Sequence, residues 1–448
     1  MSLIDSATTI IDWLKLATDN TSDGKRVKER YKMNSKSWQT IYRPDCNMET
    51  ALAFLKVWKY TNDDNYLQLS RDIYDSIIKL RNSDNSFPFA NTFDTHVYTN
   101  DNSEVPIFLF RMAEIDTERA DMYRQSALLS TDFLIALQNT DGSWRVVDND
   151  LHKVPMFVAH AVSALSIAYK YTGKKEQYKI AIENGLDWII NGNIFDNGRV
   201  KICYEVNSGT EYWRPPSSDQ AIVIRGFALA ELYVNSSKKD SWKQNRIKML
   251  NWFDQLLDSS GAIKNGLGEK LNGADLAGLT DHVYTTAFGI EAYYWSYLVD
   301  NNVDYLNKAK LITEFCSNNL YYSDDINANG VIRGAYNIQG DNWDTSKLIL
   351  NGGQEGGSNM VYTGWVNAPL AIWMFDINDV KNISNKLKIF NGKDVIEFPL
   401  NSDTLLEKDS LHLCVNGKIK QITLVDKDDA KASNVRVYTN NKIMALKK

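Results

Sequence analysis

"LQNTDGSWR" (137–145) follows an apolar run and leads into a tryptophan, and its Asn-Thr-Asp-Gly centre is a turn-forming cluster. The same mark recurs as "TSDGKRV" (21–27), "NSDNSFPF" (82–89), "FDNGRVKI" (195–202), "DSSGAIKN" (258–265) and "NANGVIRG" (327–334). Six copies at intervals of about 55 to 70 residues identify a repeat architecture.

Two kinds of helical segment lie between the marks. Segments 48–60, 105–115, 155–169, 219–233, 283–298 and 361–375 are nearly uncharged around their circumference, which places them inside the structure. Segments 66–80, 119–137, 176–190, 241–257 and 303–320 are amphipathic; in the first, Leu69, Ile73, Ile77 and Leu80 follow a helical spacing. The amphipathic segment at 4–18 has no preceding partner and the apolar segment at 361–375 no following one, so pairing them closes a ring. The fold predicted is mainly α: an (α/α)6 toroid of helical hairpins over residues 1–376, whose closure removes the exposed ends of an open helical array. Residues 377–448 read as a small antiparallel β domain, with hairpin turns at Asn391-Gly392, Asn416-Gly417 and Asn440-Asn441.

The toroid with such turns resembles the six-hairpin glycosidases and the terpenoid cyclase and prenyltransferase-like proteins. Gln138, Gly142 and Trp144 match the Q-x-x-x-G-x-W motif of squalene-type cyclases, where the glutamine bonds a helix end and the tryptophan plugs the packing. That match implies a stabilising role. The D-x-D-D acid of the cyclases is absent, and the scattered cysteines Cys46, Cys203, Cys316 and Cys414 cannot assemble the zinc ligands of the prenyltransferases.

Lys plus Arg number 50 and Asp plus Glu 56, a net charge of -6 that argues against nucleic acid or anionic membrane as a general partner. No stretch approaches the roughly 18 apolar residues of a membrane span. The cysteines form no disulfide framework or metal motif, there is no Gly-rich phosphate loop, and no cofactor or metal is expected, although "SDDINANG" (323–330) offers oxygen ligands without the EF-hand spacing. The first residues lack a basic region and a small-residue cleavage site, so a cytoplasmic monomer is the simpler expectation; a leader removed from the chain would leave no trace.

In such a ring the segments entering the inner helices line the centre, and the helix N-termini direct free N–H groups at it. His96 and His282 fall there in the matching words "DTHVYT" (94–99) and "TDHVYT" (280–285), echoed by "NMVYT" (359–363). Units two and five face each other across a ring, so His96, Tyr98, His282 and Tyr284 either converge on one cavity or serve their own helix starts. Pro106 follows only the first copy and argues against equivalence. His160, inside an apolar helix, reads as a hydrogen-bonded interior residue, and Asp45 and Asp281 as helix caps.

Cleaving a glycosidic bond needs one protonated and one ionised carboxyl. Asp94, Asp219 and Glu355 are the preferred candidates, the last in a loop of unusual length (322–360). Trp38, Trp144, Tyr212, Trp213, Trp343 and Trp365 offer flat faces for sugar rings or pack the core. The first loop concentrates Lys25, Arg26, Lys28, Arg30, Lys32, Lys36 and Arg43, either a solvated surface or an attractor of acidic sugars. The expected function is a carbohydrate-active enzyme, a glycoside hydrolase on an oligo- or polysaccharide. The alternatives are a polysaccharide lyase or uronate epimerase using Tyr98 or Tyr284 with a histidine, and a non-catalytic glycan-binding or assembly protein.

Overall fold

The computed structural model describes all residues except 92–94, 148–151, 174, 206–207, 212–215, 269, 272–273, 346–356, 385, 391–394, 400–409, 416–417, 426–435, 440–441 and 447–448. Side chains are described as far as residue 380, apart from those of 270–271, 274–275 and 284. The chain divides into two compact units, Met1–Phe375 and Asp376–Lys448.

The helices are α1 (Leu3–Leu16), α2 (Pro44–Thr61), α3 (Asp64–Ile77), α4 (Thr99–Ile115), α5 (Ala120–Ala136), α6 (Pro155–Tyr171), α7 (Glu176–Ile190), α8 (Pro216–Tyr233), α9 (Lys239–Phe253), α10 (Ala287–Asp300), α11 (Val303–Asn318) and α12 (Ala368–Ser384). The even-numbered helices are the apolar ones. In α6 every residue from Pro155 to Tyr169 is buried, because no face of the helix carries a group that needs water. Consecutive inner helices pack side by side from α2 to α10. Trp373 of α12 donates its indole N–H to Glu291 of α10 at 3.2 Å, and Phe375 stacks on Tyr60 of α2 at 4.9 Å, so α12 fills the last place. Closure is reinforced by α1, whose Ser6 bonds Ser317 of α11 at 2.7 Å, and by strand Met360–Tyr362, which pairs antiparallel with Arg30–Lys32. The chain therefore forms an (α/α)6 toroid. Among the described residues no helix is long and apolar enough to cross a membrane.

Three of the six recurring turns share one glycine-centred geometry. Asn139, Phe195 and Asp258 each donate their N–H to the carbonyl four residues on, at 2.7 to 2.8 Å, around Gly142, Gly198 and Gly261 with φ of 92, 92 and 98°. A Cβ on Gly142 would lie 2.5 Å from the Asn184 carbonyl of α7, and Gly198 and Gly261 meet α9 and α11 in the same way. Each turn thus rests on the backbone of the next outer helix, which only glycine permits at this φ. Trp144 is fully buried and donates its Nε1–H to Leu134 O, while Gln138 Nε2 donates to Ala181 O of α7. These are the roles implied by the Q-x-x-x-G-x-W resemblance, and they remove Trp144 from the substrate-binding candidates.

A second repeated device ties each turn to the inner helix that follows. Asn47 accepts the Val27 N–H at 2.7 Å and donates to the Val27 carbonyl at 3.1 Å. Asn102 grips Phe87, and Asn367 grips Ile332, with the same pair of bonds. Gln220 takes the Val200 N–H and donates to Gly198 O. These amides satisfy backbone groups that the irregular lead-ins leave without partners.

Helices α2, α4 and α8 begin earlier than the apolar pattern indicates. Helix α4 starts at Thr99 and carries Pro106 in its interior. The last apolar segment opens with a strand and one wide turn (Thr363–Asn367) before α12 starts, and α12 runs on to Ser384 instead of ending at 375. In the second unit six strands form one antiparallel sheet in the order Val395–Pro399, Lys386–Phe390, Arg436–Thr439, Lys442–Leu446, Lys418–Val425, Ser410–Val415. Val415 pairs with Lys418 and Thr439 with Lys442, as two-residue hairpins require, whereas Phe390 pairs with Val395 across a longer connection than expected at Asn391-Gly392.

Candidate active site

The first turns of α2 and α4 carry the same short word, Asn47-Met48-Glu49 and Asn102-Ser103-Glu104. The asparagines are the equivalent backbone grips described above, so Glu49 and Glu104 occupy equivalent positions in neighbouring repeats and both point into the ring. Their surroundings differ. Glu104 Oε1 lies 2.5 Å from Arg225 Nη2 and 2.6 Å from His160 Nδ1, and Oε2 accepts Arg225 Nη1 at 3.2 Å. Burial alone would raise its pKa, but the guanidinium and the imidazole outweigh burial and hold it down at about 2. Arg225 also donates to Glu291 of α10 at 2.8 Å, so one cation from α8 ties three inner helices together.

Glu49 has a different shell. It accepts only the Trp365 backbone N–H, at 2.7 Å, and among the described residues no cation touches it. Burial, opposed by the Trp365 N–H and reinforced by the charges of Glu104, Asp45 and Glu291, pushes its pKa well above the ordinary carboxylate value, so it holds its proton more tightly than an exposed carboxyl. Two equivalent carboxyls are thus driven in opposite directions, Glu49 toward keeping its proton and Glu104 toward losing it.

Beside them Arg43 sits among three carboxylates: Asp45 at 2.8 Å, Asp101 at 3.0 Å and Glu29 at 3.4 Å. One guanidinium cannot balance three buried charges. Asp101, where burial outweighs Arg43, is pushed up to about 8 and keeps its proton. This has a consequence for stability. Between the unfolded carboxylate value of about 4 and about 8, the folded chain holds a proton on Asp101 that the unfolded chain has lost, so stability falls as pH rises, by on the order of 1 kcal/mol per pH unit. Glu104 acts in the opposite sense, but only as pH falls from about 4 toward 2, outside that window. Chemical denaturation from pH 5 to 8 should show a downward slope that is shallower in Asp101→Asn; equal slopes would contradict the assignment.

The cavity bounded by Asp45, Glu49, Glu104, Phe108, Phe288 and Trp365 measures about 10 Å3, room for one water. Among the described residues this cavity is too small for a sugar ring, and Trp365 forms one of its walls. Its indole N–H bonds Asp45 Oδ2 at 2.8 Å, and its ring packs 5.7 Å from Phe288 and edge-on to His160. Its backbone has φ +61° and ψ -18° directly after Gly364, a left-handed conformation that costs a tryptophan about 1 to 2 kcal/mol and is held by the two N–H anchors on Glu49 and Asp45.

Of the residues singled out from sequence, Arg43 and Trp365 lie at this centre. Asp219 is fully buried in the first turn of α8, where Ser218 donates to it at 3.3 Å, but it is not part of the central cavity's lining. His96 is exposed and Tyr98 is half-buried against Phe89 at 5.5 Å, whereas His282 is buried beside Phe315 and Trp343. The two histidine words are thus not brought together. "TDHVYT" and "NMVYT" do match each other, each giving a strand, one wide turn and an inner helix, while in "DTHVYT" Thr99 already begins α4. Burial pushes the His282 pKa down to about 3, and its Nδ1 bonds Thr286 Oγ1 at 2.7 Å.

Trp38 packs on Trp13 and Tyr31 and donates to Asn327, and Trp343 lies between His282 and Tyr336; both belong to the outer parts of the ring. Asp281 caps its turn at Val283 as expected, but Asp45 belongs to the central cluster instead of capping. Four of the seven cations of the first loop are paired with acids: Arg26 with Asp23, Lys28 with Asp19, Arg30 with Glu29, and Arg43 with Asp45, Asp101 and Glu29. Asp325 of "SDDINANG" is occupied by Tyr31 and the Asn327 N–H. Asp94, Tyr212, Trp213, Glu355 and the side chain of Tyr284 lie outside the described residues.

Glu29, Asp101, Glu104, Arg225 and Glu291 are absent from the sequence-based candidates. Glu104 and Asp101 fall just ahead of Pro106, where the apolar pattern starts the helix too late. Arg225 and Glu291 sit inside apolar runs in which single charges read as incidental. The repeated Asn-x-Glu word was the available signal.

No protein-family model and no curated protein matches the chain. Solved structures do. A sugar epimerase from a ruminal bacterium aligns with a TM-score of 0.63 and 12% identity, over 85% of this chain and 99% of that one. An unsaturated glucuronyl hydrolase specific for heparin gives 0.62 and 11%, over 85% and 98%. A family 76 glycoside hydrolase from a bovine Bacteroides thetaiotaomicron strain gives 0.61 and 10%, over 85% and 78%. At these identities the likeness establishes the fold.

Proposed function

We propose that the protein is a carbohydrate-active enzyme that hydrolyses a glycosidic bond in an oligo- or polysaccharide at the centre of the ring. The observation that carries this reading is the pair of equivalent carboxyls facing one cavity, Glu49 away from any described cation and raised in pKa by burial, Glu104 bound to Arg225 and lowered. Environments that drive paired acids apart are how acid and base roles are divided at neutral pH. Glu49 donates its proton to the leaving oxygen as the C–O bond breaks. Glu104, fixed by Arg225 and His160, opposes the positive charge that builds at the anomeric carbon until water bonds to that carbon and gives up a proton to the carboxylate left on Glu49, which restores the acid. Asp45, now engaged by the Trp365 indole, takes a substrate hydroxyl when that N–H leaves. Entry of substrate requires Trp365 to move, and its strained backbone lowers the cost of that motion. The fold's likeness to sugar-processing enzymes is consistent with this reading. With Arg26, Lys28, Arg30 and Arg43 paired to acids, the first loop offers less attraction to an acidic substrate than its sequence suggests.

A second reading rests on the Glu104–His160 contact, a carboxylate orienting an imidazole as proton abstraction beside a carbonyl requires; it is the epimerase or lyase alternative with His160 in place of Tyr98, Tyr284, His96 or His282. Mass and NMR analysis of products from mannan, glucan, galactan and uronan oligosaccharides separates the two. Hydrolysis adds one water per bond cleaved and is the expected result. Elimination yields an unsaturated product without added water, epimerisation leaves the mass unchanged, and either would displace the hydrolase reading.

A further inference from the structure

On the face of the ring where the inner helices begin, a groove of about 550 Å3 runs between the turn at 140–142 and the C-terminal end of α7. Its volume lies within the range of about 300 to 1,000 Å3 typical of small-molecule sites. The lining combines Asp141, Asp187, Trp188, Asn193, Lys201 and Tyr204. None of these belongs to the central cluster, and none is used in the chemistry proposed above.

Three features mark it as built for a ligand. Asn193 is 4% exposed and donates its amide N–H to Trp188 O at 2.9 Å, yet among the described residues its Oδ1 has no partner in hydrogen-bonding geometry, with the Tyr204 hydroxyl nearby. A buried acceptor left in that state costs about 1 to 3 kcal/mol unless something donates to it. The Tyr204 hydroxyl is raised in pKa chiefly by burial, with the Asn193 amide lowering and Asp141 raising it, so these polar groups gather around one region. Trp188 supplies a half-buried aromatic surface beside them.

The charges at the groove are already engaged. Asp141 is paired with Lys153 at 3.0 Å, Asp187 with Lys238 at 2.6 Å, and the Lys201 ammonium lies 5.3 Å from the Tyr204 ring centre. What the groove offers is a set of dipoles, one unfilled acceptor and an aromatic face, with little net field. That combination suits a neutral polyhydroxylated ring, whose hydroxyls donate and whose C–H face stacks, better than a phosphate, a uronate or an apolar molecule. The strand pairing of His152–Lys153 with Tyr204–Glu205 joins the groove to the segments leading into α6 and α8.

We propose that this groove is a second carbohydrate site, taking a neutral oligosaccharide segment at the rim of the ring. The proposal rests on the reading of the protein as carbohydrate-active, and the two can fail separately.

The test is hydrogen exchange on the full chain carrying Glu49→Gln, titrated with neutral mannose and glucose oligomers and with trigalacturonate. Neutral oligomers should protect the backbone around 139–143 and 188–204. Trp188→Ala should weaken that protection at least about tenfold in apparent Kd, equivalent to about 1.4 kcal/mol. Tyr204→Phe, which removes one hydroxyl and no packing volume, should weaken it about three- to tenfold. With the native Glu49 restored, Trp188→Ala should leave turnover of a disaccharide unchanged. The proposal is overturned by absence of protection at about 10 mM neutral oligomer, by equal protection from trigalacturonate, or by both substitutions leaving the affinity unchanged. Groove protection without any hydrolysis would instead overturn the hydrolase reading and leave the groove standing.

Discussion

Glu49→Gln lowers turnover by about 10²- to 10⁴-fold and leaves the fold intact. The two halves of that expectation have one cause. Glutamine reproduces the neutral form that burial favours on Glu49, and its carbonyl still accepts the Trp365 N–H, so packing and charge balance around the cavity are preserved. The lost feature is the transferable proton. A general acid contributes only in the transition state, so the defect should appear in kcat with little change in KM. Substrates with a good leaving group, which need less protonation, should recover much of the rate. A loss confined to KM, or wild-type turnover, would assign Glu49 to structure.

Arg225→Met should destabilise the protein by about 3 to 5 kcal/mol, the largest stability effect expected of one substitution at the centre. Arg225 is 1% exposed and is the cation shared by Glu104 and Glu291, so its removal leaves two carboxylates buried without their countercharge. Methionine keeps most of the apolar volume, including the position over Phe288, where the guanidinium lies 4.9 Å from the ring centre. Adding Glu104→Gln and Glu291→Gln to Arg225→Met should restore part of the loss, because neutral amides no longer need the cation. Urea denaturation measures both. A single-substitution loss below about 1 kcal/mol would show that water or neighbouring groups compensate the charges.

The ring was legible in the sequence because its determinants are local. A glycine with φ near +90° in an Asn/Asp-rich turn, and a helix with no polar face, each leave a mark within a few residues. The site was less legible because its determinants are distant. Glu49 and Glu104 differ in proton affinity through Arg225, 121 residues from Glu104, and through the want, among the described residues, of any such cation beside Glu49. Sequence reading sought acids in loops, whereas the helices begin early enough to take Asp101 and Glu104 into their first turns. Matching the words around His96 and His282 failed for a related reason: similar letters enter an inner helix in one case and a strand followed by a wide turn in the other. The small size of the central cavity could not be read at all, since it depends on the backbone conformation of Trp365.

The most direct test of a catalytic centre inside this ring is a crystal structure of Glu49→Gln with its best oligosaccharide bound. The expected structure has the Trp365 indole displaced from Asp45, a sugar ring in its place, and the glycosidic oxygen within hydrogen-bond reach of the residue 49 side chain, about 2.6 to 3.2 Å. A sugar bound only elsewhere, with Trp365 still seated on Asp45 and the centre still closed, would contradict it.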